Sequence, residues 1–152
     1  MALVAVTVGI GLPANAATTA QVADVVYVEE APPATDVIEG EPWVGTAACN
    51  GDTIRAYGKQ GCKKRGTAVR QCYVIDHWEY FHIAPSGSIW HIWNGASSWK
   101  EMPHDGQATN TYGCAYNSGR VGNGVAVLYG NSIWYSYQKY NPANVWYGWF
   151  PV

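Results

Sequence analysis

The chain has 152 residues, room for one domain, and a formal net charge of −2. That balance hides two opposite regions: six acidic residues and no basic one precede Gly45, whereas nine basic residues face five acidic ones after it, leaving the second region mildly cationic. Its densest basic stretch, Lys63-Lys64-Arg65, reads as solvated charge and falls short of the broad footprint that nucleic-acid binding requires.

Residues 2–12 are an apolar run followed by Pro13 and the small-residue triplet Ala14-Asn15-Ala16. This is the pattern of a secretory signal peptide cleaved after Ala16, so residues 1–16 are assigned to it and the protein is expected to be secreted and extracellular. The run is too short for a bilayer, which takes ~20 residues, and no membrane insertion is expected. Residues 17–45 hold Asp24, Glu29, Glu30, Asp36, Glu39 and Glu41 with Pro32, Pro33 and Pro42. Like charge and proline without apolar periodicity predict a disordered leader, a solvated spacer ahead of the folded domain at 46–152.

Cys49, Cys62, Cys72 and Cys114 all lie in that domain, and with an export signal they read as two disulfides. Three pairings are open. The expected one joins Cys49 to Cys62 across a short local loop and Cys72 to Cys114 between the middle and the last third. Intervening lengths of 12, 9 and 41 residues, with no C-x-x-C pair, argue against zinc.

Helical periodicity is absent from the domain, and apolar or aromatic residues alternate with polar ones. Strands are expected at 53–57 and 67–75, separated by a basic surface loop at 59–66. A hairpin is predicted from residues 77–84, a turn at 85–88, and a return strand at 89–94. Pairing across a four-residue turn sets Ala84 opposite Ile89, His82 opposite His91 and Tyr80 opposite Trp93. Phe81, Ile83, Trp90 and Ile92 then share an inward face, and Trp78, Tyr80, His82, His91 and Trp93 share an outward one. A second hairpin runs from 125–129 through Gly130-Asn131 to 132–137, with Leu128 facing Ile133 and Val127 facing Trp134. One short strand near 112–116 and a closing strand at 146–150 complete the pattern. The class is all-β: a small antiparallel barrel or sandwich of about six strands with two disulfides.

No serine elbow is present, and the cysteines are better explained as disulfides than as nucleophiles. Five carboxylates, Asp52, Asp76, Glu79, Glu101 and Asp105, give no spacing that would define a hydrolytic pair. The chain is therefore read as non-catalytic, with no cofactor and no metal site. A His82–His91 pair across the hairpin is read as ordinary histidines rather than ligands. Aromatic content points to binding instead, since seven of eight Trp and ten of eleven Tyr follow Gly45. Trp and Tyr faces beside amide and hydroxyl groups suit sugar rings. The candidate ligand-binding residues are Trp78, Tyr80, His82, His91, Trp93, Asn94 and Trp99, with Asn110 beside them.

Residues 83–100, from Ile83-Ala84-Pro85-Ser86-Gly87-Ser88-Ile89-Trp90-His91-Ile92-Trp93 to Trp99-Lys100, resemble a blade segment of tectonin-like and related bacterial β-propeller lectins. The resemblance implies a carbohydrate ligand and matches Trp90, His91 and Trp93. It covers about eighteen residues, with an echo at 130–137, and the chain is too short for a full propeller. As a whole, the exported four-cysteine chain also resembles small secreted proteins of actinobacteria. The expected function is non-catalytic binding of a glycan or cell-wall polymer. The alternatives are a secreted protein-interaction module, with a protein partner, and a small hydrolase.

Overall fold

Alternation along the chain resolves into thirteen strands and no helix among the residues that the computed structural model describes, 26–117, 123–139 and 145–152. The expected signal peptide at 1–16 and residues 17–25 of the leader lie outside them. In chain order the strands are β1 (Val26–Glu30), β2 (Ile38–Glu39), β3 (Asp52–Ala56), β4 (Lys59–Lys63), β5 (Arg70–Val74), β6 (His77–Ile83), β7 (Ile89–Trp93) and β8 (Lys100–Glu101). They continue with β9 (Asn110–Asn117), β10 (Asn123–Tyr129), β11 (Ser132–Lys139), β12 (Val145–Trp146) and β13 (Phe150–Pro151). Three antiparallel sheets result: β2-β3-β4, β5-β6-β7-β8, and β1-β9-β10-β11-β12 with β13 also on β11. The sheets do not close into a barrel, and the expected count of about six strands is too low.

The four-stranded sheet is buried on both faces. On one side Cys72, Val74, Phe81, Ile83 and Ile89 pack with Val125, Val127 and Trp146 of the six-stranded sheet. On the other, Tyr80 and Ile92 pack with Ile54 and Ala56 of the three-stranded sheet, closed by Val69 and Trp99. Each face removes several large side chains from water, the main favourable term in folding.

Turn chemistry sets the registers. Gly130 has φ 60 in a two-residue turn, and the second hairpin pairs Leu128 with Ile133 and Val127 with Trp134, as expected. The first hairpin differs by one residue. Gly87 is left-handed at φ 93, its N–H donates to Ala84 O at 2.9 Å, and Ala84 N–H donates to Ser88 O at 2.8 Å. The loop is thus three residues with a glycine bulge, not four. His82 faces Trp90, Phe81 faces His91, Tyr80 faces Ile92 and Glu79 faces Trp93. Because side chains alternate with period two, this shift sends Trp90 and Ile92 to the face of Trp78, Tyr80 and His82, and sends His91 and Trp93 to the face of His77, Glu79 and Phe81. The single outward aromatic face is corrected accordingly.

Two further expectations change. The basic stretch at 59–66 is not simply a surface loop, because Tyr57 (φ 47) and Gly58 (φ 73) make a tight turn that returns the chain as β4 on β3. Lys63 is buried, and its ammonium donates to Thr67 O at 2.7 Å and to Asp52 at 3.3 Å. Residues 26–45 of the leader are ordered: β1 pairs with β9 and β2 with β3. The domain supplies opposite charges to two of the acidic residues, with Arg55 on Glu41 at 2.5 Å and Lys63 3.9 Å from Glu39.

Both disulfides form as paired above, Cys49–Cys62 and Cys72–Cys114. The second ties β5 to β9 and so joins two sheets. Loop-closure entropy assigns about 4 kcal/mol to the 42-residue separation and about 3 kcal/mol to the 13-residue one. Chemical denaturation should therefore show the larger loss for the Cys72→Ala/Cys114→Ala double variant. An equal or larger loss for Cys49→Ala/Cys62→Ala would place the stabilisation elsewhere.

Candidate functional site

The site begins at a strained turn. β5 and β6 are joined through Ile75-Asp76, with Val74 paired to His77. Ile75 has φ 59, and Asp76 N–H donates back to Val74 O at 2.7 Å, which is a γ-turn with a left-handed central residue. A β-branched residue in that region costs roughly 1–3 kcal/mol, and such strain clusters at functional sites. The turn sets Asp76 beside His77, and strand alternation puts His77 and Glu79 on one face of β6. His91 and Trp93 share that face on β7, and β11 and β12 contribute the register pair Gln138 and Trp146. Together these seven residues line a cleft of about 480 Å³.

A continuous hydrogen-bonded array crosses it. Asp76 Oδ1 lies 2.6 Å from His77 Nδ1, His77 Nε2 lies 2.7 Å from Glu79 Oε1, and Glu79 Oε2 lies 2.6 Å from His91 Nδ1. Glu79 is 1 % exposed, and a buried carboxylate survives only with such partners. With a carboxylate at each ring nitrogen, His77 donates from both when it is protonated. Burial opposes that charge, but the hydrogen bonds and negative charges of Asp76 and Glu79 outweigh it and raise the His77 pKa above the ordinary histidine value. His91 meets Glu79 through Nδ1, which leaves Nε2 as the ring nitrogen without a hydrogen-bond partner among the described residues on the cleft side. Its ring is held by Phe81, stacked at 6.0 Å, and by Trp146, edge to face at 5.5 Å.

Among the described residues, two polar atoms of the side chains that line the cleft have no partner. Gln138 Oε1 and Trp146 Nε1 are buried and unbonded on side chains 5 % and 7 % exposed. One is an acceptor and the other a donor. An unpaired buried polar group costs about 1–3 kcal/mol, so each marks a place where a ligand group would be welcome.

The sequence-predicted residues do not come together in one place. His91 and Trp93 lie in this cleft. Trp78, 50 % exposed, borders a separate hollow of about 410 Å³ with Glu29, Asp36 and Tyr116. Tyr80, His82 and Trp99 are buried on the opposite face, where Tyr80 Oη donates to Asp36 and raises its own pKa through burial and that bond. Asn94 is exposed in the turn after β7, and Asn110 accepts from the main chain of Ala68 at 3.1 Å. His82 and His91 point to opposite sides of the sheet, so the cross-strand histidine pair does not form. His77 and Glu79 are not among the expected site residues, although their i, i+2 spacing puts them on one face. Gln138 and Trp146 carried no signal, since only the pairing of β11 with β12 brings them here.

No protein-family model matches this chain, and no curated protein or solved structure matches it either.

A raised folded pKa means that the His77 contribution is fully present below the unfolded value of about 6.5 and is lost as pH rises through the folded one. The melting temperature should therefore fall as pH rises from about 6.5 through that value, and His77→Gln should flatten the profile in calorimetry. Removing the central carboxylate by Glu79→Ala should cost about 3–5 kcal/mol in denaturant unfolding, because it leaves His77 and His91 without their shared acceptor.

Proposed function

We propose that this protein is secreted and binds carbohydrate without catalysis, as a glycan or cell-envelope polymer, with the sugar held in the cleft of His91, Trp93, Gln138 and Trp146. The observation that carries the reading is the unpaired donor–acceptor couple, Trp146 Nε1 and Gln138 Oε1. A sugar hydroxyl is both donor and acceptor, so adjacent hydroxyls satisfy both atoms and remove the desolvation cost that each now carries. Half-buried Trp93 supplies a ring for the apolar face of a pyranose, and His91 Nε2 accepts a further hydroxyl. Export is supported by the apolar run ahead of Ala14-Asn15-Ala16 and by two disulfides, which persist in oxidising compartments.

Two carboxylate residues in the cleft lining, Asp76 and Glu79, favour neutral or amine-bearing sugars over uronates and phosphorylated polymers. Calorimetric titration with neutral oligosaccharides should give binding that Trp93→Ala weakens at least about tenfold, roughly the worth of one stacking contact. Gln138→Leu should weaken binding by a similar factor while leaving thermal stability unchanged or raised, since it deletes an unpaired acceptor. Wild-type affinity in both variants, or tighter binding of polyuronates than of neutral sugars, would contradict the reading.

A further inference from the structure

On the far side of the four-stranded sheet lies a second cleft of about 610 Å³, bounded by the segment 43–50 and β4 and floored by β6 and β7. None of its lining residues carries a formal charge at neutral pH. Three indoles, Trp43, Trp90 and Trp99, form much of its wall, and each indole N–H is already engaged, by Ala47 O, Ser88 Oγ and Lys59 O. Both ends of the Gln60 amide are also taken, by Val44 N–H and Pro42 O. The cleft therefore offers aromatic faces and few free polar atoms. Gly61 shapes the wall, because a Cβ there would come within 2.8 Å of Trp99 Nε1.

His82 is the exception. It is 2 % exposed, it lines the cleft, and neither ring nitrogen reaches a partner in hydrogen-bonding geometry. Burial pushes its pKa down to about 4, opposed by the main chain of Ile83 and assisted by the charge of Lys63, so the ring is neutral at pH 7. A neutral imidazole presents one donor and one acceptor. Leaving both unmet in the interior is costly, and a phenylalanine of similar shape would fill the same space without that cost.

We propose that this cleft is a second binding site, for an uncharged aromatic compound bearing a hydroxyl group, a phenol-class ligand whose ring lies against Trp90 and Trp99 and whose hydroxyl meets His82. The chemistry differs from the first cleft, where free polar atoms and carboxylates ask for several hydroxyls. Here one buried polar handle stands among aromatic faces, with Asn50, Ser86 and Ser98 exposed on the lining, which favours a flat apolar body with a single polar group. The two proposals are independent, since no lining residue is shared.

Titration of the intact protein with p-cresol, toluene and benzoate, read by calorimetry and by the imidazole nitrogen shifts of His82, tests the assignment. Expected are saturable p-cresol binding that moves the His82 signals, at least tenfold weaker binding of toluene, and none of benzoate. His82→Phe should lose at least tenfold in p-cresol affinity with equal or higher thermal stability, and Trp90→Ala, at a half-buried wall position, should lose affinity as well. The oligosaccharide titration should be the same in His82→Phe as in the wild type, so failure of one site is separable from failure of the other. Absence of p-cresol binding at millimolar concentration, or unchanged affinity in His82→Phe, overturns the proposal.

Discussion

A three-residue turn closed by left-handed Gly87 sets the face of every side chain from His77 to Trp93, and the rest of the molecule is arranged around that choice. The β6–β7 hairpin is the middle of the middle sheet, so both of its faces must find cover. With the observed register, Phe81, Ile83 and Ile89 meet the six-stranded sheet while Tyr80 and Ile92 meet the three-stranded one. A slip of one residue would carry the side chains of β7 to the wrong layer, and would part His91 from Glu79.

Burial on both faces also explains why the polar groups of this hairpin matter. Glu79 sits where the alternation demands a core residue, and its carboxyl oxygens are met by two histidine rings, one of them supported in turn by Asp76 at a strained turn. His82 occupies the equivalent depth on the other face without any such support. One face therefore holds a satisfied ionic array beside two unsatisfied atoms of the neighbouring sheet, and the other holds a single unsatisfied ring. Aromatic residues frame both. The contrast in charge and in free hydrogen-bonding groups separates a cleft suited to hydroxyl-rich ligands from one suited to a flat, apolar ring.

The covalent links act on the same arrangement. Cys72–Cys114 clamps the four-stranded sheet to the six-stranded one next to the core of Val125 and Val127, and Cys49–Cys62 holds the segment that walls the second cleft against β4. Arg70 reaches Ala31 O and Arg55 reaches Glu41, so the acidic segment from residue 26 onward is part of the same body. In a chain of this size such ties supplement a limited core.

Local chemistry was legible from the residues themselves. Alternation identified an all-β chain, Gly130-Asn131 specified its turn and register, and the order of the cysteines suggested the correct pairing, because each of these depends on neighbours or on loop length. The three-layer packing was not legible, since a strand buried on both faces leaves no polar side to read, and Tyr80, His82 and Trp99 look as suited to a surface as to a core. His77 and Glu79 were visible as a pair on one face but not as a site, because their meaning comes from His91, whose face hangs on a single glycine. Gln138 and Trp146 reach the cleft only through the pairing of β11 with β12, a contact that no local pattern encodes. The sequence by itself determined the all-β class, the second hairpin with its turn, and the disulfide pairing; only tertiary structure decided the additional strands and which side chains face one another, because alternation fixes two faces and leaves open what covers each.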